Sequence, residues 1–222
     1  MTRKSLMAAS IAVVLALIGV AAWVGAMLPG DVALPIHWDI RGEPDRFSDK
    51  WTALMMPALI AAGVSLLFFF LPELESREMG LKRSRGLYLW GWASILLMSA
   101  TIELAVISVA LKWTVHGTSF VLAGLGIMFV MIGNQLGKSR SMYLIGFRTP
   151  WTLASEDVWI KTHRLAGKLM VVGGVLLLPA ALLPLPSGVV ATLLGVIIGV
   201  AVVVPFVYSY LLWRKERGAR AN

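Results

Sequence analysis

The chain has 222 residues, is 58% hydrophobic and only 14% charged, with a mean hydropathy of +0.80. Soluble domains carry roughly 25% charged residues, so this composition excludes an ordinary soluble domain and points to a membrane protein. The absence of cysteine excludes a disulfide framework, a thiolate nucleophile and a cysteine-based metal site.

A helix crossing ~30 Å of hydrocarbon at ~1.5 Å rise needs about 20 apolar residues. Six stretches meet that demand, and the first is Ser5–Leu28. Its "TRK" start suits a signal peptide, but signal cores run roughly 7–15 residues. Here the uncharged run reaches Gly30 and no small-x-small cleavage site follows, so an uncleaved anchor is expected.

The next segment, Leu34 to Trp51, reads "LPIHWDIRGEPDRFSDKW". Pro35 disfavours a continued helix and "RGEPD" is turn chemistry, so a compact extracytoplasmic cap with a short strand pair is expected. Trp38 and Trp51 suit a membrane interface, with an apolar body and a polar N–H. His37, Asp39, Glu43 and Asp45 have the chemistry of metal ligands, but not a dense ligand spacing. A hydrogen-bonded surface cap is the expected reading, and neither metal nor cofactor is assigned.

The second and third spans are Ala53–Leu71 and Gly86–Leu111. Inside the third lies Glu103, which costs ~2.5–3.5 kcal/mol on insertion scales. Apolar neighbours worth about −0.3 to −0.6 kcal/mol each outweigh that, but the cost directs Glu103 toward the bundle interior. Two roles are open: a proton relay or cation site, and a structural acid bonded to Ser99, Thr101 or another helix. The structural role is the favoured expectation.

The fourth span, Phe120–Leu136, runs into "GNQLGKSRSMYLIGFRTPW", Gly133 to Trp151. A phosphate-binding loop needs G-x-x-x-x-G-K-[ST] between a strand and a helix. Counting back from Gly137-Lys138-Ser139 puts Ile132 where the first glycine belongs, and the upstream element is a membrane helix, so the nucleotide reading fails. Ser155 is the expected N-cap of a following helix, with Glu156 and Asp157 complementing its dipole. That helix is expected to continue through "IKTHRLAGK" into a short fifth span, Leu169–Leu183. Asp157 and Lys161 form an i, i+4 pair in the favourable order, while Trp159 and His163 share a face with Thr162 nearby. The sixth span is Gly188–Trp213, where Gly195 and Gly199 form a GxxxG pattern of the kind that marks close helix packing.

Lys and Arg set the orientation. One side collects Arg3, Lys4, Arg77, Lys82, Arg83, Arg85, Lys138, Arg140, Arg148, Lys161, Arg164, Lys168, Arg214, Lys215, Arg217 and Arg220; the other has only Arg41, Arg46, Lys50 and Lys112. The net charge of +8 is therefore a positive-inside bias, not a nucleic-acid surface. The expected fold is an all-α polytopic membrane protein with six transmembrane helices, both termini cytoplasmic, and a small extracytoplasmic cap between helices 1 and 2.

"GNQLGKSRSMYLIGFRTPWTLASEDVWIKTHRLAGKL" closely resembles the signature of the SdpI family of multi-pass bacterial membrane proteins. The resemblance rests on Asn134, Gly146, Arg148, Thr149, Pro150, Trp151, Thr152, Leu153, Trp159, Thr162, His163, Arg164 and Gly167. The outer loop separately resembles a domain of unknown function often joined to that family, through Leu34, Pro35, Ile36, His37, Trp38, Gly42, Pro44 and Asp45. The expected division is a helical hairpin with its outer loop over residues 1–71, then a four-helix domain over 72–222 with its signature at 133–168.

The resemblance implies a bacterial cytoplasmic-membrane protein, not an enzyme, that protects against a secreted membrane-active toxic peptide. It further implies signalling to a cytoplasmic transcriptional repressor. His37, Trp38, Asp39, Gly42 and Asp45 would meet the peptide. Asn134, Gly146, Arg148, Thr149, Pro150, Trp151, Trp159, Thr162, His163 and Arg164 would couple to it or engage the inner partner. Membrane lipids are the other expected partner. The alternative is a small-solute or ion transporter using Glu103. An intramembrane enzyme using His163, Arg148, Arg164 and Asp157 lacks any recognisable catalytic order.

A reporter that is active only outside the cytoplasm, fused after the last residue, is expected to stay inactive. Activity there would overturn the orientation.

Overall fold

The computed structural model describes residues 2–221; the side chain of Arg220, counted above among the inner bases, lies outside the described residues. Six helices are long and apolar enough to cross a membrane. In chain order the elements are α1 (Arg3–Met27), β1 (Ala33–Trp38), β2 (Pro44–Asp49), α2 (Lys50–Leu74), α3 (Glu78–Arg83), α4 (Arg85–Ala110), α5 (Gly117–Leu136), α6 (Pro150–Ala154), α7 (Glu156–Leu182) and α8 (Ser187–Ala221).

The spans begin and end where their chemistry changes. Thr2 caps α1 through a capping box with Ser5, satisfying amides that have no partner in the first turn. Asp49 caps α2 by accepting from the amides of Trp51 and Thr52. Ser155 caps α7 through the Val158 amide. As expected, the helix capped at Ser155 runs on into the fifth span, unbroken from Glu156 to Leu182, because nothing between the cap and the apolar run interrupts it. Two short helices, α3 and α6, were not visible as periodic patterns; α6 is set by Thr149 as N-cap and Pro150 at its first position.

α5 and α7 form the tightest pair. A Cβ built on Gly133 would lie 2.7 Å from the Gly167 carbonyl, and one on Gly167 would lie 2.5 Å from the Gly133 carbonyl. Gly126 and Gly174 repeat this contact farther along, at 2.9 and 2.5 Å. Only glycine permits such backbone approach. A Cβ built at Gly195 or Gly199 of the GxxxG, in contrast, would meet nothing within 4 Å among the described residues. Its expected packing role is corrected: the close contact uses glycines seven residues apart on two antiparallel helices.

The largest core cluster joins α1, α2, α4 and α7 around Trp92 and Trp159, both fully buried. Trp92 donates to Ser65 Oγ at 3.1 Å, and its ring lies beside Phe68 and Tyr88. Pro72 lacks the N–H that would bond the Phe68 carbonyl, and Tyr88 OH fills that vacancy at 2.7 Å. At the opposite end Lys50 Nζ donates to the Leu28 carbonyl at 2.6 Å, tying the end of α1 to the start of α2.

Gly133→Val is expected to lower the thermal midpoint in detergent by the equivalent of about 1–3 kcal/mol or more, as overpacking does. Gly195→Ala is expected to be neutral or stabilising by up to about 1 kcal/mol. Equal effects would contradict the assigned contact.

Candidate functional site

The polar segment after α5 is held at the end of the bundle that carries both termini, and every turn of it is tied down. Glu75, just beyond α2, is 3% exposed. Its carboxylate accepts from the amides of Tyr143 and Leu144, both at 2.9 Å, and of Arg77 at 2.8 Å. Arg77 in turn donates to Ser141 Oγ, to Tyr143 OH at 3.0 Å and to the Leu153 carbonyl at 3.3 Å. Ser84, between α3 and α4, accepts from the Arg140 amide at 2.7 Å. Buried non-helical backbone needs partners for its amides, and these residues supply them.

The other half of the segment is seated on α7. Trp159 and His163 stack at 3.9 Å with 16° between their planes. His163 Nε2 accepts from the Phe147 amide at 2.9 Å, while Nδ1 faces the Trp159 carbonyl at 2.8 Å. An amide only donates and a carbonyl only accepts, so the ring is neutral with its proton on Nδ1. Gly146 passes directly over this stack at φ +120°, and a Cβ there would meet His163 Nε2 at 2.6 Å. Trp159 Nε1 donates to Ser139 Oγ at 3.1 Å.

Thr149 and Thr152 close a capping box, and Thr149 also reaches Ser209 of α8 at 3.3 Å. Trp151 lies against Phe206, Tyr210 and Trp213 of the same helix, and Ser155 donates to Glu216 at 2.9 Å. Of the signature residues, Thr149, Trp159, Thr162 and His163 are buried, whereas Asn134, Arg148, Pro150 and Arg164 are exposed. The structure thus gathers Gly146, Trp159 and His163 into one contact and leaves Asn134 and Arg164 on a different, outward face.

The cap is a two-stranded antiparallel sheet at the opposite end. His37 Nδ1 and Asp45 Oδ1 are 2.5 Å apart. Asp39 accepts from the amides of Arg41 and Glu43 at 2.8 and 3.0 Å and pairs with Arg41 Nε at 3.0 Å. The Glu43 amide, foremost, holds the Asp39 carboxyl below its usual value, and hydrogen bonding to Thr52 does the same for Asp49. Both contributions are present above an ordinary carboxyl pKa of about 4 and are lost as pH falls through the lower folded values. Among the described residues, no group of three or more His, Asp or Glu side chains is arranged to hold a metal. The turn at Gly42 rests on α5 through Thr118, whose hydroxyl donates to the Gly42 carbonyl at 2.6 Å.

Glu103 is 2% exposed, inside the bundle as expected. The expected bonding to Ser99, Thr101 or another helix is corrected: neither carboxyl oxygen has a partner among the described residues. Thr101 is turned instead to the Met98 carbonyl at 3.0 Å, the common fate of a hydroxyl that satisfies itself within its own helix. Thr162 Oγ1 is the other buried side-chain oxygen left without a partner there.

Sequence reasoning missed Glu75, Ser84 and Glu216, and took Arg77 only as part of a charge count. One signal was present: "LPELES" places acids at the end of a span whose flanks are otherwise basic.

Residues 138–209 match the family model described as the SdpI/YfhL protein family, and residues 11–61 match a domain of unknown function, DUF1648. The chain is 25% identical over 187 residues to the immunity protein SdpI of Bacillus subtilis (strain 168), covering 84% of this chain and 86% of that protein. No solved structure matches the chain.

Glu75→Ala removes the acceptor from three amides at once, so it is expected to cost several kcal/mol at about 1.5–3 kcal/mol per charged hydrogen bond. Glu73→Ala, which breaks only an exposed pair with Arg3, is expected to cost less than about 1 kcal/mol. Comparing the two thermal midpoints in detergent checks the assignment.

Proposed function

From a multi-pass bacterial membrane protein with an SdpI/YfhL-type domain, we propose immunity to a secreted membrane-active toxic peptide, received at the outer cap. The observation that carries this reading is a cleft of about 460 Å³ between the cap turn and the α4–α5 and α7–α8 connections. Arg41, Glu43 and His116 offer polar contacts there, beside apolar surface from Trp38, Leu122 and Val190. That mixture suits an amphipathic peptide better than a small apolar solute.

The same proposal includes a route to the inner face. Thr118 links the cap turn to the first turn of α5, and the glycine contacts fix α5 against α7. Displacement of the cap by a peptide would therefore shift the α5–α7 pair that carries the signature at its other end. The inner segment would engage a cytoplasmic repressor, with both termini on that side and the chain divided near residue 71 into hairpin and four-helix modules. A second reading, ion or small-solute transport, is favoured by Glu103, buried without a partner among the described residues, because an acid that costs stability is commonly kept for use.

Expression in a peptide-sensitive bacterium is expected to raise survival at least about tenfold, and the charge reversal Arg41→Glu with Glu43→Arg to remove most of that gain. Purified protein is expected to bind the protecting peptide. Absence of both protection and binding would overturn the reading; ion flux in liposomes that Glu103→Gln abolishes would replace it with transport.

A further inference from the structure

Three exposed cations converge beside the α5–α7 contact, away from the cap cleft. Lys138 follows α5, and Arg164 and Lys168 lie on α7; with Asn134, Val171 and Val172 they line a groove of about 490 Å³. None of the three forms an ion pair among the described residues. Asp157, an acid on the same side of α7, is already paired with Lys161 at 2.6 Å and lies about 10 Å along the helix from Arg164.

The glycine contact creates the groove. Gly133 and Gly167 bring the two backbones together, and a Cβ at Gly137 would meet Arg164 Cα at 3.2 Å. Gly133, Gly137 and Gly167 line the groove without side chains, and charges from α7 and from just after α5 face one space. Beyond them the lining turns apolar, with Val172 58% exposed, in the direction of the membrane-spanning run. A ligand that fits both ends carries an anion at one and hydrocarbon at the other.

We propose that this groove seats an anionic phospholipid, with its headgroup phosphate between Lys138, Arg164 and Lys168 and an acyl chain along Val171 and Val172. The Asn134 amide supplies a neutral donor to the same headgroup. A free phosphate would use the cations but leave the valines unoccupied. The bound lipid would bridge α5 and α7 at the end where the signature segment leaves α5. This inference is independent of peptide immunity.

The test uses the full chain in detergent micelles, with retained lipid read by native mass spectrometry. Phosphatidylglycerol is expected to be retained at least about tenfold more tightly than phosphatidylcholine with the same acyl chains. At roughly 1 kcal/mol per basic residue, Arg164→Gln with Lys168→Gln is expected to weaken phosphatidylglycerol about thirtyfold. Arg214→Gln with Lys215→Gln, two exposed cations on α8, is expected to change it less than about threefold. Equal retention of both lipids, equal loss in both double variants, or displacement by millimolar inorganic phosphate would overturn the proposal. Should the α7 variant fail to fold by circular dichroism, Lys138→Gln serves in its place: about fivefold weakening is expected, and none would overturn it.

Discussion

The approach of α5 to α7 sets the terms for the rest of the molecule. Two glycine pairs, Gly133 with Gly167 and Gly126 with Gly174, bring the helices to backbone contact. Lipid tails are as apolar as the side chains they would replace, so membrane helices gain association from close packing more than from burial of apolar area. The chain leaving α5 then runs over the first turns of α7, where the Phe147 amide meets His163. Gly146 lies there on the Trp159–His163 stack, where a positive φ and the lack of room for a Cβ call for glycine.

Irregular backbone at such a place must still satisfy its amides and carbonyls. The molecule does so with side chains drawn from nearly every neighbouring element: Glu75 after α2, Ser84 before α4, Thr152 from α6, and Glu156 and His163 from α7. Each partner is short or held by a second bond, which limits the side-chain entropy lost in ordering the segment. The result is a floor that ties α2, α4, α7 and α8 together. The cap end is built differently: a twisted strand pair on local hydrogen bonds, touching α5 through one hydroxyl and leaving a cleft beside it.

Besides the Thr162 hydroxyl, two polar features stand outside this arrangement. Among the described residues, Glu103 is buried without a partner, at a cost of about 1–3 kcal/mol for an unsatisfied group. Lys138, Arg164 and Lys168 are exposed around a groove and form no ion pair among the described residues. The buried half of the signature, Trp159 and His163 above all, serves packing and hydrogen bonding. Its exposed half, Asn134 and Arg164, has surface left for a ligand.

Much of this was legible from the chain itself. Span length, the excess of Lys and Arg on alternate connections, the turn at "RGEPD" and the Ser155 cap follow from local composition, because helix length, charge at the interface and turn geometry are local properties. The Asp157–Lys161 pair and the shared face of Trp159 and His163 follow from helical periodicity alone. What the sequence could not determine are contacts between residues far apart: Glu75 with Tyr143 and Leu144, Ser155 with Glu216, and which glycines meet. Gly195 and Gly199 had the motif but not the contact, Gly167 had the contact without the motif, and Gly133, which spells the same motif with Gly137, had both. Helix pairing depends on which faces the connections allow to meet, and only the assembled bundle decides that.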